Sequence, residues 1–173
     1  MRDLPAGPGD PRFNSNRDSE AIAADPVGRG WWVAFEKHDS VWLYDSQFGR
    51  AFQSIAVPDA SADVNVGIEG LAIDGRQLML LPESGGRALT GGPASWTESA
   101  FAFPERRVSG AAALRDGSLL AIERRMTLSG LDNSLVRLDR CGDALPSEVD
   151  RVGRQGESAR SGRRDGHGCG WLG

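Results

Sequence analysis

The 173-residue chain lacks several features that would place it in a familiar class. It has two cysteines, Cys141 and Cys169, neither in a CxxC motif, and two isolated histidines. This favours two free thiols over a zinc site. No apolar run approaches the roughly 18 residues that span a bilayer. The N-terminal residues carry no apolar segment of the signal-peptide kind, so no leader is expected on the chain as given.

Familiar catalytic motifs are also missing. The chain has no P-loop, no dinucleotide-binding fingerprint and no G-x-S-x-G nucleophile elbow. Its net charge of -4 gives no overall electrostatic case for nucleic acid or for an anionic membrane surface as a partner. Any function must therefore be sought in the pattern of the remaining residues.

Turn-forming residues are plentiful, whereas helical signals are scarce. The chain has 23 glycines and nine prolines, which is typical of β-rich proteins with many turns. No long segment shows apolar residues at a period of 3.6, so the sequence predicts an all-β fold.

Three segments share one layout of apolar strand, tight turn, second apolar strand and glutamate. They are "EAIAADPVGRGWWVAFE" at 20–36, "EGLAIDGRQLMLLPE" at 69–83 and "GAAALRDGSLLAIE" at 110–123. Asp-Gly between two apolar runs is a strong hairpin signal because glycine accepts the positive φ of such turns. A further strand-like run follows each hairpin, at 41–45, 100–105 and 135–139.

The spacing of these hairpins indicates propeller blades. The glutamates that end them, Glu36, Glu83 and Glu123, are 47 and 40 residues apart. Repeats of this length built from short strands are typical of β-propellers, which need about four to eight blades. The sequence therefore predicts an all-β, β-propeller-like fold with about three blades of an incomplete propeller. Trp31, Trp32 and Trp42 are expected in the core, and Trp96 in an exposed loop.

Composition divides the chain into three parts. Residues 1–16 form an irregular lead-in rich in proline and glycine, and residues 17–150 form the partial propeller domain. Residues 151–173 contain seven glycines and five arginines with almost no apolar pattern, which predicts a disordered C-terminal tail. The abrupt change of composition at about residue 150 also resembles a frameshifted end. The alternative is a basic arm that binds RNA.

The glutamates have both a functional and a structural interpretation. Glu36, Glu83 and Glu123 follow strands that are apolar on both faces, while Glu20 and Glu69 open the first strand of two units. One hypothesis is a ring of carboxylates around a channel mouth, which would suit Ca²⁺ or Mg²⁺ and supply a general acid or base. The alternative is that each glutamate accepts backbone hydrogen bonds or pairs with a cation and locks one blade to the next. Asp18 and Asn65 are either further ligands or turn residues.

These segments resemble successive blocks of the phytase-like family, described as having esterase-like activity of phytase. The resemblance covers about residues 17–140. It rests on motifs in conserved order: Asp18 and Glu20, Glu36, Asn65 with Gly67 and Glu69, Glu83, and Glu123 with Arg124 and Arg125.

The resemblance implies an exported, periplasmic or secreted β-propeller whose acids face the channel and hold calcium. It also implies hydrolysis of phosphate or other esters. The sequence departs from the family pattern at Lys37, where arginine is usual, in the missing signal peptide, and in the later blocks, where the tail stands instead. A truncated and therefore inactive member is one expectation.

The resulting hypothesis is metal-assisted hydrolysis of a small-molecule ester or phosphoester. The expected ligands of Ca²⁺ are Glu20, Glu36, Glu69 and Glu83. The expected catalytic residues are Glu69, Glu123 and Arg124, the last as a phosphate clamp, while Asp18 and Asn65 line the channel. The alternative is a non-catalytic β-propeller module for recognition or scaffolding, with structural glutamates.

Overall fold

The computed structural model describes residues 4–10, 12–13, 16, 18–58, 67–84, 87–100, 107–128, 130–138 and 150–154. Within these ranges the regular structure is almost all β, with a short 3-10 turn at Glu36–His38. The described part contains no helix long and apolar enough to cross a membrane.

Twelve strands form three four-stranded antiparallel sheets in chain order. Sheet 1 contains β1 (Ser19–Ala24), β2 (Gly30–Phe35), β3 (Ser40–Asp45) and β4 (Ala51–Ala56). Sheet 2 contains β5 (Ile68–Asp74), β6 (Gln77–Pro82), β7 (Arg87–Gly91) and β8 (Trp96–Ala100). Sheet 3 contains β9 (Arg107–Ala113), β10 (Leu119–Thr127), β11 (Gly130–Leu138) and β12 (Asp150–Arg154).

The first strands of the three sheets, β1, β5 and β9, contact one another. Each sheet therefore presents its first strand to a shared axis and its later strands outward. This is the arrangement of propeller blades, and it confirms the predicted propeller-like, all-β fold with three blades.

Strand β6 shows how the sheets pack, because both of its faces are buried. Leu78 and Leu80 join the core cluster shared with sheet 1, whereas Met79 and Leu81 join the cluster shared with sheet 3. Successive side chains of a strand point to opposite faces, so one apolar run serves two interfaces. The sequence prediction of strands apolar on both faces is confirmed here.

The outer face of sheet 1 is covered by the N-terminal segment. Phe35 and Tyr44 form a smaller apolar cluster there, with Leu4 packed against it. The Tyr44 hydroxyl donates a hydrogen bond to the carbonyl of Ala6. The described residues of the segment before β1 are thus irregular in conformation but packed on the domain.

The first hairpin turn is held by a buried carboxylate. Asp25 is 5% exposed and accepts hydrogen bonds from Arg29 Nη2 at 2.7 Å and from Trp32 Nε1 at 2.9 Å. The Arg29 hydrogen bond is the largest of the effects that hold the pKa of Asp25 far below its usual range. This network explains why a buried tryptophan and an aspartate occur together beside the turn.

Sheet 2 departs from the sequence prediction. Its third strand is β7 at Arg87–Gly91, so assigning that strand to the run 100–105 was wrong; residues 101–106 lie outside the described ranges. Trp96 is not in an exposed loop: it opens β8, packs against the core and donates from Nε1 to the Ala56 carbonyl at 3.2 Å. The sequence pattern did not reveal β7 because this strand is short and flanked by glycines, which are uncommon in strands.

The predicted boundary at residue 150 falls at the start of a strand. Residues 150–154 form β12, which pairs with β11, so the first residues of the segment assigned to the tail belong to sheet 3. Residues 155–173 lie outside the described part of the chain.

Gly70 lies where sheets 2 and 3 pack closely together. A Cβ at this position would lie 2.9 Å from Leu81 Cβ and 3.0 Å from Ala111 Cβ. We expect Gly70→Ala to lower the free energy of unfolding by about 1–3 kcal/mol, because a methyl group there overpacks the interface. Chemical denaturation measures the change.

Gly92→Ala is the matched control, since a Cβ there meets nothing within 4 Å. This variant should stay within about 0.5 kcal/mol of the parent chain. Equal stability of the two variants would contradict the tight packing described at Gly70.

Candidate metal and acid-base site

The first strands of sheets 1 and 2 carry a β-bulge at the same place. In sheet 1 the pairing steps from Ser19–Phe35 to Ala21–Ala34, which leaves Glu20 as the extra residue. In sheet 2 it steps from Ile68–Pro82 to Gly70–Leu81, which leaves Glu69. A bulge releases a side chain from the strict alternation of a strand and often lies beside a functional site. The backbone at each bulge therefore changes the direction in which the glutamate side chain leaves the strand.

The glutamates that follow the second strands lie at the same end of these sheets. The N–H of Glu36 donates to the Asp18 carbonyl at 3.0 Å, and the N–H of Glu83 donates to the Gly67 carbonyl at 2.9 Å. These equivalent bonds tie the end of each second strand to the residue before the first strand. They bring the two sets of acids predicted from the sequence together in space.

Three carboxylates of sheet 1 form the tightest group. One carboxylate oxygen from each of Asp18, Glu20 and Glu36 lies within 4.8 Å of the other two. Among the described residues, these three side chains are the Asp, Glu, His or Cys group that is close enough to bind one metal ion together. Calcium binds oxygen at about 2.3–2.6 Å, so ligands on opposite sides of one ion are about 5 Å apart. The spacing and the all-oxygen donors fit Ca²⁺ or Mg²⁺ rather than zinc.

The close spacing of these acids changes their proton affinity. Burial, followed by the nearby Asp18 and Glu36 carboxylates, raises the pKa of Glu20. Burial and Asp18 likewise raise the pKa of Glu36, while Lys37 opposes the rise. Side-chain hydrogen bonds to Asp18 also raise the pKa of both glutamates.

Gly67 holds Glu36 in place from the neighbouring sheet. A Cβ on Gly67 would lie 2.2 Å from Glu36 Cγ and 3.0 Å from Glu36 Cβ, so any side chain there would displace the glutamate. The glycine of the "NVGIEG" motif is thus required by a contact between sheets 1 and 2.

Glu69 is a partly buried acid with a strongly raised pKa. Burial, helped by Glu20 and Glu83, raises the pKa of this carboxyl to about 7, and Arg124 acts in the opposite direction. Glu69 therefore senses charges from all three sheets. A carboxyl with a pKa near neutrality can both accept and release a proton at physiological pH.

Glu83 has a different environment from the other acids. It accepts a hydrogen bond from Arg107 Nη1 at 2.8 Å, and its carbonyl accepts from the Val108 N–H at 3.0 Å. These bonds connect sheet 2 to sheet 3, as the blade-locking hypothesis expects. Arg107 was not singled out from the sequence, although the adjacent arginines 106 and 107, where β9 begins, were a visible signal.

Sheet 3 contributes a buried acid and an exposed arginine. Glu123 is 3% exposed and lies on the same face of β10 as Ala121, which packs against sheet 2. Arg124 is exposed and pairs in register with Arg107 of β9, so both arginines lie on neighbouring strands at the end of the sheet that carries the acids. Asn65 lies outside the described residues.

The structure therefore brings together most of the predicted site. Asp18, Glu20 and Glu36 form the compact group, and Glu69, Glu83 and Arg124 surround it electrostatically. Glu69 and Glu83, which were expected as metal ligands, are not members of the compact group.

An open groove on the outer face of sheet 1 reaches one acid of the group, Glu20. Its volume is about 520 Å³, and Glu20 lines it beside mainly apolar residues that include Leu4, Ile22, Val33 and Phe48. A smaller cavity of about 160 Å³ lies at the opposite end of sheets 2 and 3, among the turns of their first hairpins. The groove is thus the space next to the predicted site.

The raised pKa of Glu69 predicts a pH-dependent stability. Between about 4.5, the ordinary value, and about 7 the folded chain keeps a proton that the unfolded chain has lost. The free energy of unfolding therefore falls as the pH rises through this range. We expect Glu69→Gln to raise the melting temperature at pH 8 by roughly 2–4 °C, because the amide removes the buried charge and its repulsion.

Below about pH 4.5 the melting temperatures of the variant and the parent should converge. Glu98→Gln is the control, since Glu98 is an exposed acid whose Oε2 lies 3.3 Å from Arg87 Nη1. A large drop in melting temperature for Glu69→Gln at pH 8 would identify Glu69 as a structural lock instead.

Comparisons with known proteins give one family match. The model of the family described as "Phytase-like: Esterase-like activity of phytase" matches residues 4–156. No curated protein sequence matches the chain.

Solved structures that match the chain include hydrazine synthase of Kuenenia stuttgartiensis, at 16% identity and a TM-score of 0.49 over 75% of this chain and 37% of that one. The β-propeller domain of Myceliophteria thermophila Cps50 (Swd1) matches at 12% identity and a TM-score of 0.46, over 79% of this chain and 39% of the other. The chain thus spans less than half the length of these two structures.

Proposed function

The chain belongs to the phytase-like family, and on that basis we propose that it supports metal-assisted hydrolysis of phosphate or carboxylic esters. One observation carries this proposal. A group of three carboxylates suited to a hard cation lies next to Glu69, a carboxyl whose pKa is raised to about 7. Such a pair of features supplies both parts of a hydrolytic site, an electrophile and a general base.

Asp18, Glu20 and Glu36 would hold the cation, with Ca²⁺ as the proposed ion. When bound, Ca²⁺ would balance the crowded negative charge and polarise an ester oxygen. The rest of the chemistry belongs to the side chains around this group.

Glu69 is the proposed general base. Its pKa of about 7 leaves it partly ionised at neutral pH, so it can accept a proton from the attacking water. Arg124 and its neighbour Arg107 present guanidinium donors that suit the oxygens of a phosphate group. The burial of Glu123 favours a positioning role for this acid rather than contact with a substrate.

The groove beside Glu20 bears on the substrate class. Apolar walls next to a cation site suit an ester with one charged or polar end and one apolar group. The proposed substrates are therefore small esters or phosphoesters of this kind.

Calcium binding is the first test. Calorimetric titration should give a saturable site, and Glu36→Gln should weaken binding by about tenfold or more, because it removes one of three charged ligands. Affinity should fall as the pH is lowered, since the raised pKa values of Glu20 and Glu36 make protons compete with the ion.

Glu98→Gln again serves as the control, because this exposed acid lies on β8 and is not part of the group. Titration of the parent chain without any heat of binding would remove the metal from the proposal. The same affinity in Glu36→Gln as in the parent would place the ion elsewhere.

Hydrolysis is the second test, with nitrophenyl esters and phytate as substrates. We expect Glu69→Gln to lower kcat by about 100-fold or more, as loss of a general base does. Calcium affinity of this variant, measured in parallel, should change much less than that of Glu36→Gln. Undetectable turnover by the calcium-loaded parent chain would contradict the enzymatic proposal.

A second function is favoured by the Glu83–Arg107 ion pair. This pair joins sheets 2 and 3 at 2.8 Å, as expected of glutamates that serve as locks in a non-catalytic recognition or scaffold module. In that case the acids would stabilise the fold and no turnover would be found. The melting curve of Glu69→Gln separates the two functions.

A further inference from the structure

The segment before β1 meets the 3-10 turn of sheet 1 at a hydrogen bond beside the three carboxylates. Nε2 of His38 lies 2.7 Å from Oδ1 of Asn16. Asn16 precedes Asp18 by two residues, and His38 follows Glu36 by two. The bond from the Glu36 N–H to the Asp18 carbonyl, at 3.0 Å, joins the same two stretches of chain. A side-chain bond and a backbone bond therefore tie these stretches together next to the acids.

The direction of the bond between Asn16 and His38 follows from the amide group. Nδ2 of Asn16 donates to the Asp10 carbonyl at 2.7 Å, so the amide oxygen faces the histidine. An amide oxygen can only accept a hydrogen bond, so Nε2 of His38 carries the hydrogen and donates it. A side chain without an N–H at position 38 would lose the bond.

The segment before β1 is folded around the Asn16 side chain. Gly9 has a φ of +67°, and a Cβ on it would lie 2.5 Å from Cγ of Asn16. The Phe13 N–H donates to the Asp10 carbonyl at 3.1 Å, and the Asn16 N–H donates to the Phe13 carbonyl at 3.0 Å. These contacts already restrict the amide, so little further side-chain entropy is lost when it accepts the bond from His38.

Asp18 lies outside the strands that hold the other two acids. Glu20 lies within β1, and Glu36 directly follows β2 and packs on Gly67. Asp18 comes before β1 and is exposed, so its position depends on the segment that precedes it. Like charges repel, so a loosely held carboxylate at this position would move away from Glu20 and Glu36.

We infer that Asn16 and His38 are positioning residues for the cation site, because their hydrogen bond holds the stretch with Asp18 against the turn with Glu36. This inference rests on the proposed function, since it takes the three carboxylates as ligands of one ion. Without the bond, part of the binding free energy of the cation would be spent on ordering Asp18, and the affinity would fall.

Calorimetric titration with Ca²⁺ tests the inference. His38→Ala and Asn16→Ala should each bind the ion about fivefold more weakly than the parent, as the loss of one exposed hydrogen bond predicts. The double variant should bind no more weakly than either single variant, because both changes remove the same bond. His38→Gln should stay within about twofold of the parent, because its amide nitrogen can donate from nearly the same position.

Thr127→Val is the matched control. The Thr127 hydroxyl donates to the Gly130 carbonyl at 2.8 Å, so this nearly isosteric change also removes one exposed hydrogen bond, on sheet 3. Its Ca²⁺ affinity should equal that of the parent. Melting curves of the metal-free proteins are the second readout. All variants should melt within about 4 °C of the parent, because none of the altered side chains is buried.

Unchanged affinity in His38→Ala would overturn the inference, as would an equal loss in His38→Gln or in Thr127→Val, or a further loss in the double variant. A large drop in the metal-free melting temperature of His38→Ala would also overturn it, because the bond would then stabilise the fold as a whole. Absence of Ca²⁺ binding by the parent would overturn the calcium proposal and this inference together. Binding by the parent that the variants leave unchanged would overturn this inference alone.

Discussion

Like charges held at one end of three packed sheets are the constraint on which the site depends. Asp18, Glu20 and Glu36 repel one another, yet the bulge at Glu20 and the hydrogen bond from Glu36 to Asp18 fix them within 4.8 Å. Burial of apolar side chains between the sheets offsets this repulsion. Burial is the largest cause of the raised pKa of Glu69, and the nearby carboxylates of Glu20 and Glu83 add to it.

The site is built from residues of several sheets, and no single sheet contains all of it. Gly67 of sheet 2 packs directly on Glu36 of sheet 1, and Arg107 of sheet 3 bonds Glu83 of sheet 2. Each interface between sheets therefore buries apolar side chains and also fixes the position of a charged side chain. The geometry of the site therefore depends on the packing of the sheets, since a shift of one sheet moves the acids of the next.

The sequence predicted the hairpins, and it predicted that their glutamates lie together at one end of the sheets. Asp-Gly turns and strands apolar on both faces are local signals, so 69–83 and 110–123 could be assigned directly. The bulges at Glu20 and Glu69 could not be predicted, because they depend on register with the neighbouring strand. The sequence analysis missed three further features for a similar reason: strand β7, the packing of Trp96 against the core, and the pairing of Glu83 with Arg107. At these positions tertiary packing outweighs weak local propensity.

Strand β6 has a consequence for how such a chain can change over evolution. Its consecutive residues Leu78 to Leu81 alternate between two cores, so each can be exchanged for another apolar residue of similar volume. A single inserted or deleted residue would instead send every later side chain into the wrong core. Genetic variation in this strand should therefore be rich in substitutions and poor in changes of length.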